Sequence, residues 1–233
     1  MPATGSGQPA NAHLGLVLAD GYASHLPNMT QITNCPNCGA SLGAKLAFAR
    51  MLDCDSCGTT ILRDGEALQA AGDHGVMLDA PSLMAVGETV MIGSKQYTPT
   101  GHIRFDYGAG WWDEFWCPAS IAGPDGVWIS VDEGDYAVER KVSKRASPTV
   151  PKKLALGTEV MFDNETYMLS ETDQATCVAF RGALPEVIAL GEQHYYANFT
   201  SPKGSLLSLE VWDGGNAWHR GEWIDPWKIK AVT

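Results

Sequence analysis

Four of the six cysteines fall in two pairs, "CPNCG" at 35–39 and "CDSCG" at 54–58, with fifteen residues between Cys38 and Cys54. Two residues between cysteines let both thiolates of one turn reach a single ion. Cys35, Cys38, Cys54 and Cys57 therefore read as a tetrahedral four-sulfur metal site. Four sulfurs close the coordination shell, which makes the metal structural; Zn2+ is the first expectation and iron in a rubredoxin-like site the alternative. Gly39 and Gly58 stand where each turn needs a permissive backbone. A segment this short buries too little apolar surface to fold alone, so the ion would supply that stability.

A second stretch, "WWDEFW" at 111–116, sets four rings around two carboxylates. In a strand, Trp111, Asp113 and Phe115 share one face, and Trp112, Glu114 and Trp116 share the other. Each face then carries one acid framed by rings, and "GVWISVDEGDY" adds Trp128, Asp132, Glu133 and Asp135 close by. Two readings stay open. In the first, one face is core and its acid lies at the rim, paired to Arg104, Lys95 or a backbone N–H. In the second, Trp112, Glu114, Trp116, Trp128, Asp132 and Glu133 surround an organic cation. Ring faces attract ammonium groups and carboxylates add charge-assisted hydrogen bonds. A polyamine, or Lys and Arg side chains of a partner, would suit such a site.

Catalytic patterns are weak. Cys117 and Cys177 stand beside apolar residues and read as buried thiols rather than nucleophiles. His102, His194 and His219 lie in strand-like surroundings without a paired motif. Asp113 and Glu114 are adjacent and point apart in a strand, a poor arrangement for an acid–base pair. The glycines at 108–110 lack the following Lys-Ser/Thr of a phosphate loop. A non-catalytic protein is the expectation.

The net charge of −11 disfavours nucleic acid, whose binders need a basic face. Residues 80–145 hold six basic and nine acidic side chains, and 146–233 hold seven and eleven, so no basic block stands out locally either. No apolar run approaches the roughly 18 residues of a membrane-spanning helix. The first apolar stretch, "LGLVLA" at 14–19, has no basic region before it. A cytoplasmic, reducing location is expected, which agrees with cysteines paired for metal rather than for disulfides.

The elements that must position these residues are mostly strands. Residues 1–34 are small, polar and turn-forming, and read as a disordered N-terminal segment. A zinc ribbon follows at 35–64, then a connector at 65–82 with a helical turn at "EALQAA". An internal repeat comes next: "MAVGETVMIGSKQY" from Met84 and "LALGTEVMFDNETY" from Leu154, with Ala85/Ala155, Gly87/Gly157, Val90/Val160, Met91/Met161 and Tyr97/Tyr167 identical. Each copy is a glycine turn, a short strand, a polar turn and a second strand beginning at the Tyr, which is a β-hairpin. The cation- and proline-containing stretch 141–153 reads as a linker. The fold class expected is mainly β: a small zinc ribbon followed by two related barrel- or sandwich-like units, 83–145 and 154–233.

The pattern Gly87…Tyr97…Gly101-x-Ile103-x-Phe105…Trp112-x-Glu114-x-Trp116…Trp128-Ile129…Glu133 resembles the bacterial domain of unknown function 4178. That family often carries a cysteine-pair ribbon in front and a diverged copy behind. The second copy is similar through Gly157, Tyr167, Leu184-Pro185, Gly191, Leu209-Glu210 and Gly221, but lacks the W-x-E stretch. The family has no established activity. Its genes tend to lie beside those for phage-shock-protein-A-like membrane-stress proteins, small membrane proteins and polyamine-synthesis enzymes. The resemblance thus implies a cytoplasmic adaptor in an envelope-stress assembly; its protein–protein contacts are expected at exposed sheet edges and on the ring-rich strands Trp111–Trp116 and Trp212–Trp223, because interface anchors favour Trp and Tyr. The alternative it implies is a polyamine-binding protein that uses the aromatic–acidic stretch.

Overall fold

A computed structural model describes residues 33–65, 67–72, 74–119 and 125–232. The segment expected to be disordered, 1–34, lies outside these residues apart from Thr33 and Asn34. Strands come in chain order: β1 Met51–Asp53, β2 Thr60–Asp64, β3 Ala67–Ala70, β4 Val90–Ile92, β5 Lys95–Tyr97, β6 Gly101–Asp106, β7 Trp111–Pro118, β8 Gly126–Asp132 and β9 Asp135–Lys141. They continue with β10 Glu159–Phe162, β11 Glu165–Leu184, β12 Gln193–Thr200, β13 Ser205–Trp212, β14 Gly215–Ile224 and β15 Ile229–Ala231. Two short 3-10 turns, Gly43–Ala47 and Pro226–Lys228, are the only helical elements among the described residues, and no helix there is long and apolar enough to cross a membrane. The helical turn expected at "EALQAA" is instead β3: Asp64 pairs with Ala67, and Gly65 at φ 58° starts the tight turn that returns the chain along β2.

Eight strands close into an antiparallel barrel in the order β11-β6-β7-β8-β9-β14-β13-β12, with β12 pairing back onto β11. Closure turns on β11, which is twenty residues long. Met168 to Thr176 pair with β12, and Thr176 to Gly182 pair with β6. Bulges at Leu169/Glu171 and Cys177/Ala179 bend the strand between these partners.

The two β units expected from the sequence are therefore two halves of one barrel. Residues 101–141 give β6–β9 and residues 165–224 give β11–β14, joined edge to edge by β9–β14 and β6–β11. The physical reason is that a four-stranded meander leaves two open edges, and pairing them removes both. The described residues accordingly fall within a single compact unit.

The hairpins have a separate task. β4, β5 and β15 form a three-stranded sheet. Val90, Ile92 and Ile229 from it pack on Phe115, Ile129 and Val138, which face outward from β7, β8 and β9. The β10–β11 hairpin brings Val160 and Tyr167 to Phe199, Leu207, Leu209 and Trp218 on β12–β14. The stretch read as a linker joins this cover, with Val142 and Val150 packed against the same cluster. Much of the barrel's apolar surface thus faces outward under these covers, which frees inward positions for polar side chains. In small closed barrels those positions are commonly filled. On the remaining side, β1 pairs with the end of β11 (Met51↔Leu184), so the sheet runs on through β1, β2 and β3.

Candidate functional site

The cysteine segment repeats one local geometry twice. Gly39 N–H donates to the Cys35 carbonyl at 2.9 Å and Gly58 N–H to the Cys54 carbonyl at 2.8 Å. Both glycines adopt positive φ, 76° and 68°, a region that a side chain at Cβ makes costly. These turns bring the four sulfurs within 4.8 Å of one another, with Cys35–Cys57 at 3.8 Å and Cys38–Cys54 at 3.6 Å. A tetrahedral ion with metal–sulfur bonds of about 2.3 Å has sulfur–sulfur edges of about 3.8 Å, so the donor set fits such an ion. Asn37 Nδ2 bonds Thr59 Oγ1 at 2.8 Å and so ties the first turn to the second. Cys35 and Cys54 are buried, in one apolar cluster with Met51, Leu52, Phe180 and Leu184. The segment is thereby packed onto the barrel.

In β7 the two acids of "WWDEFW" part company. Asp113 faces outward and is 7% exposed. Arg104 grips it with two bonds, Nε–Oδ1 at 2.7 Å and Nη2–Oδ2 at 2.9 Å, and His102 Nε2 lies 2.9 Å from Oδ1. Burial alone would raise its carboxyl, but His102 and Arg104 outweigh that and hold it below the ordinary aspartate value. Glu114 faces inward, where Trp112 Nε1–H donates to its Oε1 at 3.0 Å. The rim-acid reading thus describes Asp113, and its partner is the Arg104 named among the candidates.

Glu114 opens onto a cavity of about 90 Å³ inside the barrel. From β7 come Trp112 and Glu114; from β8, Trp128, Ser130 and Asp132; from β9, Asp135 and Glu139. The other half adds Glu171, Tyr196, Asn198, Ser208, Glu210 and His219. Six carboxylates line this space, and neither lysine nor arginine is among its lining residues. Glu139 is 7% exposed and accepts from Ser130 Oγ at 2.9 Å and from Ser208 Oγ. Gly221 makes room for it, since a Cβ there would lie 2.9 Å from Glu139 Cγ. Tyr196 Oη and Asn198 Nδ2 both donate to Glu171, at 3.0 and 3.1 Å. Trp112 stacks on Phe105 at 5.1 Å and meets Tyr196 edge-on at 4.9 Å, forming an aromatic wall.

The electrostatics follow from crowding. Burial, with added repulsion from Glu139 and Glu186, pushes Glu114 up to about 8. Glu139 is raised by burial against the pull of its two serines, and Glu210 is raised well above the ordinary range by burial and by Glu114. Burial and then Glu171, Glu133 and Asp135 push Asp132 up to about 6. Burial and nearby Lys141 bring His219 down to about 4. His219 Nε2 and Asp132 Oδ1 are buried without a hydrogen-bond partner. Glu210 and His219 also border a second cavity of about 250 Å³, which adds His194, Cys177, Arg50, Lys141 and Glu186.

Of the six residues assigned to a cation site from sequence, four line the first cavity: Trp112, Glu114, Trp128 and Asp132. Trp116 points the same way but is 6% exposed and packed on Trp128 at 5.1 Å, as core. Glu133 occupies the exposed β8–β9 turn at φ 49°. Sequence reasoning missed Glu139, Glu171, Glu210, Tyr196 and His219. For Glu139 and Glu210 the available signal was alternation, since Val138 and Leu209 occupy the other face of their strands; Glu171 and His219 have polar neighbours on the other face, Thr172 and Gln174 or Arg220 and Glu222, and gave no such signal. Cys117 and Cys177 are buried, as expected, and burial pushes both thiols up to about 12, opposite to an activated nucleophile.

No curated protein and no solved structure shows significant similarity to the chain. A family model described as Domain of unknown function (DUF4178) matches residues 85–226, which takes in every barrel strand but not the cysteine cluster. With more than half of its length matched by that model, this chain belongs to the DUF4178 family.

Proposed function

We propose that the barrel binds an organic polycation of the polyamine class, and that the cysteine cluster holds a structural Zn2+. The observation that carries the first part is the lining of the inner cavity: six carboxylates, an aromatic wall and no lysine or arginine. An amine gains charge-assisted hydrogen bonds from such a surface and ring contacts along its length. A bare metal ion is served less well. Among the described residues only the four cysteines bring three or more ligand atoms within 4.8 Å of one another. Spread acids suit a ligand whose charges are also spread.

Calorimetric titration with spermidine tests this reading. Glu114→Gln keeps the shape of the side chain and removes its charge, and should weaken binding at least tenfold, because a hydrogen bond to a charged group contributes about 1.5–3 kcal/mol. Equal heats from wild type and a folded Glu114→Gln protein, or heats that vanish in modest salt, would count against a specific site. Elemental analysis should find one zinc per chain.

The adaptor reading keeps one specific support. Trp227 is 83% exposed, and Trp111 and Trp223 are about half exposed, and tryptophan is a favoured interface anchor. Trp112 and Trp116 face inward, so the contact surface expected on 111–116 reduces to Trp111. Loss of partner capture on Trp227→Ala would support it.

A further inference from the structure

We propose that the cavity exchanges protons for its ligand: the free barrel holds protons on its inner glutamates, and an entering ammonium group displaces them. This rests on the polyamine reading above and assigns how that site is regulated. Three glutamates, from β7, β9 and β13, converge on one cavity. Something must neutralise them when no ligand is present, because unpaired charge in a poorly solvated space is costly.

The groups around them do not supply that charge. From β8, Asp132 faces the cavity, and from β11, Glu171; both are acids. β12 contributes Tyr196, a neutral phenol that donates to Glu171. On β14 stands His219, 4% exposed, with Nε2 unpartnered. Burial and Lys141 keep this imidazole neutral near pH 7, so it offers a ligand an uncharged polar atom and gives the glutamates no counter-charge. Among the described residues the cations near the glutamates border the second cavity: Arg50, and Lys141, which draws Glu210 down but less than burial, Glu114, Glu186 and Glu139 push it up, and whose Nζ is 3.9 Å from Glu186. His194, also there, is held neutral by burial. β6 brings Ile103, opposite Glu114, and Phe105, opposite Trp112, and both are apolar. Protons are what remains, and the upward displacement of Glu114, Glu139 and Glu210 agrees with that placement.

The exchange balances simply. Each carboxylic O–H gives its proton to solvent, and the carboxylate left behind accepts N–H bonds from the ammonium group. Simple alkyl amines titrate near pH 10, so the ligand enters already charged at neutral pH and the released protons come from the protein.

The experiment is titration of the full chain with spermidine at pH 7 in two buffers of different ionisation heat, repeated from pH 6 to pH 9. The heats should differ between buffers by the equivalent of about one or more protons released. Affinity should rise about tenfold per pH unit per proton below pH 8 and level off above it. In Glu114→Gln, proton release should fall while measurable binding remains. Tight binding with identical heats in both buffers and no pH dependence would overturn the exchange and leave the polyamine reading standing. Absence of binding by spermidine and 1,4-diaminobutane at every pH would overturn both. Asp135→Asn, at the exposed mouth, serves as the control: it should weaken binding without changing the number of protons released.

Discussion

The cysteine cluster and the barrel interior both gather ligand-type side chains, and they are assembled in opposite ways. All four sulfurs come from 23 consecutive residues, positioned by two short turns whose hydrogen bonds are nearly superimposable. The six interior carboxylates come from five strands between Glu114 and Glu210, and only closure of the sheet brings them together. In the first region the site would hold the fold: the segment is too short to bury a core of its own, and a metal would fix its turns. In the second the fold holds the site: apolar covers on the outside stabilise a barrel that can then tolerate acids within. A locally encoded site should fail locally when its ligand is lost, and a globally encoded one should survive ligand loss while responding to protons.

Metal removal is the largest expected break between the two. Structural zinc in small domains contributes on the order of 10 kcal/mol. Chelation, or Cys35→Ser, should abolish amide-exchange protection in β2 and β3 while β7–β9 remain protected, as read by hydrogen-exchange mass spectrometry. Loss of protection across β7–β9 as well would mean that the packing of Met51 and Leu52 against Phe180 and Leu184 is a condition of barrel closure rather than a graft onto it.

The next effect sets neighbours against each other. Asp113→Ala leaves Arg104, 8% exposed, without its carboxylate, and should cost about 3–5 kcal/mol in urea unfolding. Glu114→Gln should cost little and become stabilising at higher pH. Glu114 is displaced from 4.5 up to about 8 in the folded chain, so its contribution is complete below pH 4.5 and lost as pH rises towards 8. His219 acts oppositely: displaced from 6.5 down to about 4, it favours folding as pH rises through that window and is spent above 6.5. Between pH 6.5 and 8 the ligand-free protein should therefore lose stability, at up to about 1.4 kcal/mol per pH unit for each proton involved. Glu114→Gln should flatten that slope, and spermidine should reverse it. Melting curves at four pH values would suffice; a flat wild-type profile would place Glu114 in contact with bulk water.

How much of this was legible in the sequence follows the same division. The clustering of the four cysteines was readable outright, because C-x-x-C spacing and a following glycine are local requirements of one turn. The strand class was also readable, and so were the two faces of "WWDEFW", since alternation is a property of a single strand. Barrel closure was not. Whether residues 101–141 and 165–224 close separately or together depends on which edges meet, and edge pairing leaves no pattern within either segment. For the same reason Glu139, Glu171 and Glu210 were invisible as a group. A strand that presents glutamate on one face and Val138 or Leu209 on the other ordinarily reads as solvent outside and core inside. Here the hairpins invert that rule by covering the apolar side, and no single strand records what covers it.

The smallest effect probes what kind of surface the acids share. Trp112 is the one residue that both donates to Glu114 and belongs to the aromatic wall. Trp112→Phe keeps a ring against Phe105 and Tyr196 but removes the indole N–H and offers a weaker face to a cation. A cation–ring contact of this kind is worth about 0.5–1 kcal/mol, so spermidine affinity should fall two- to fivefold. The lost N–H matters separately. Because it stabilises the ionised form of Glu114, its removal should raise the pH at which binding levels off. A fall in affinity at pH 9 with an unchanged pH midpoint would assign Trp112 to ligand contact alone. A shifted midpoint with unchanged affinity at pH 9 would make it a positioning residue for Glu114, and the cavity would then recognise charge without reading the ring.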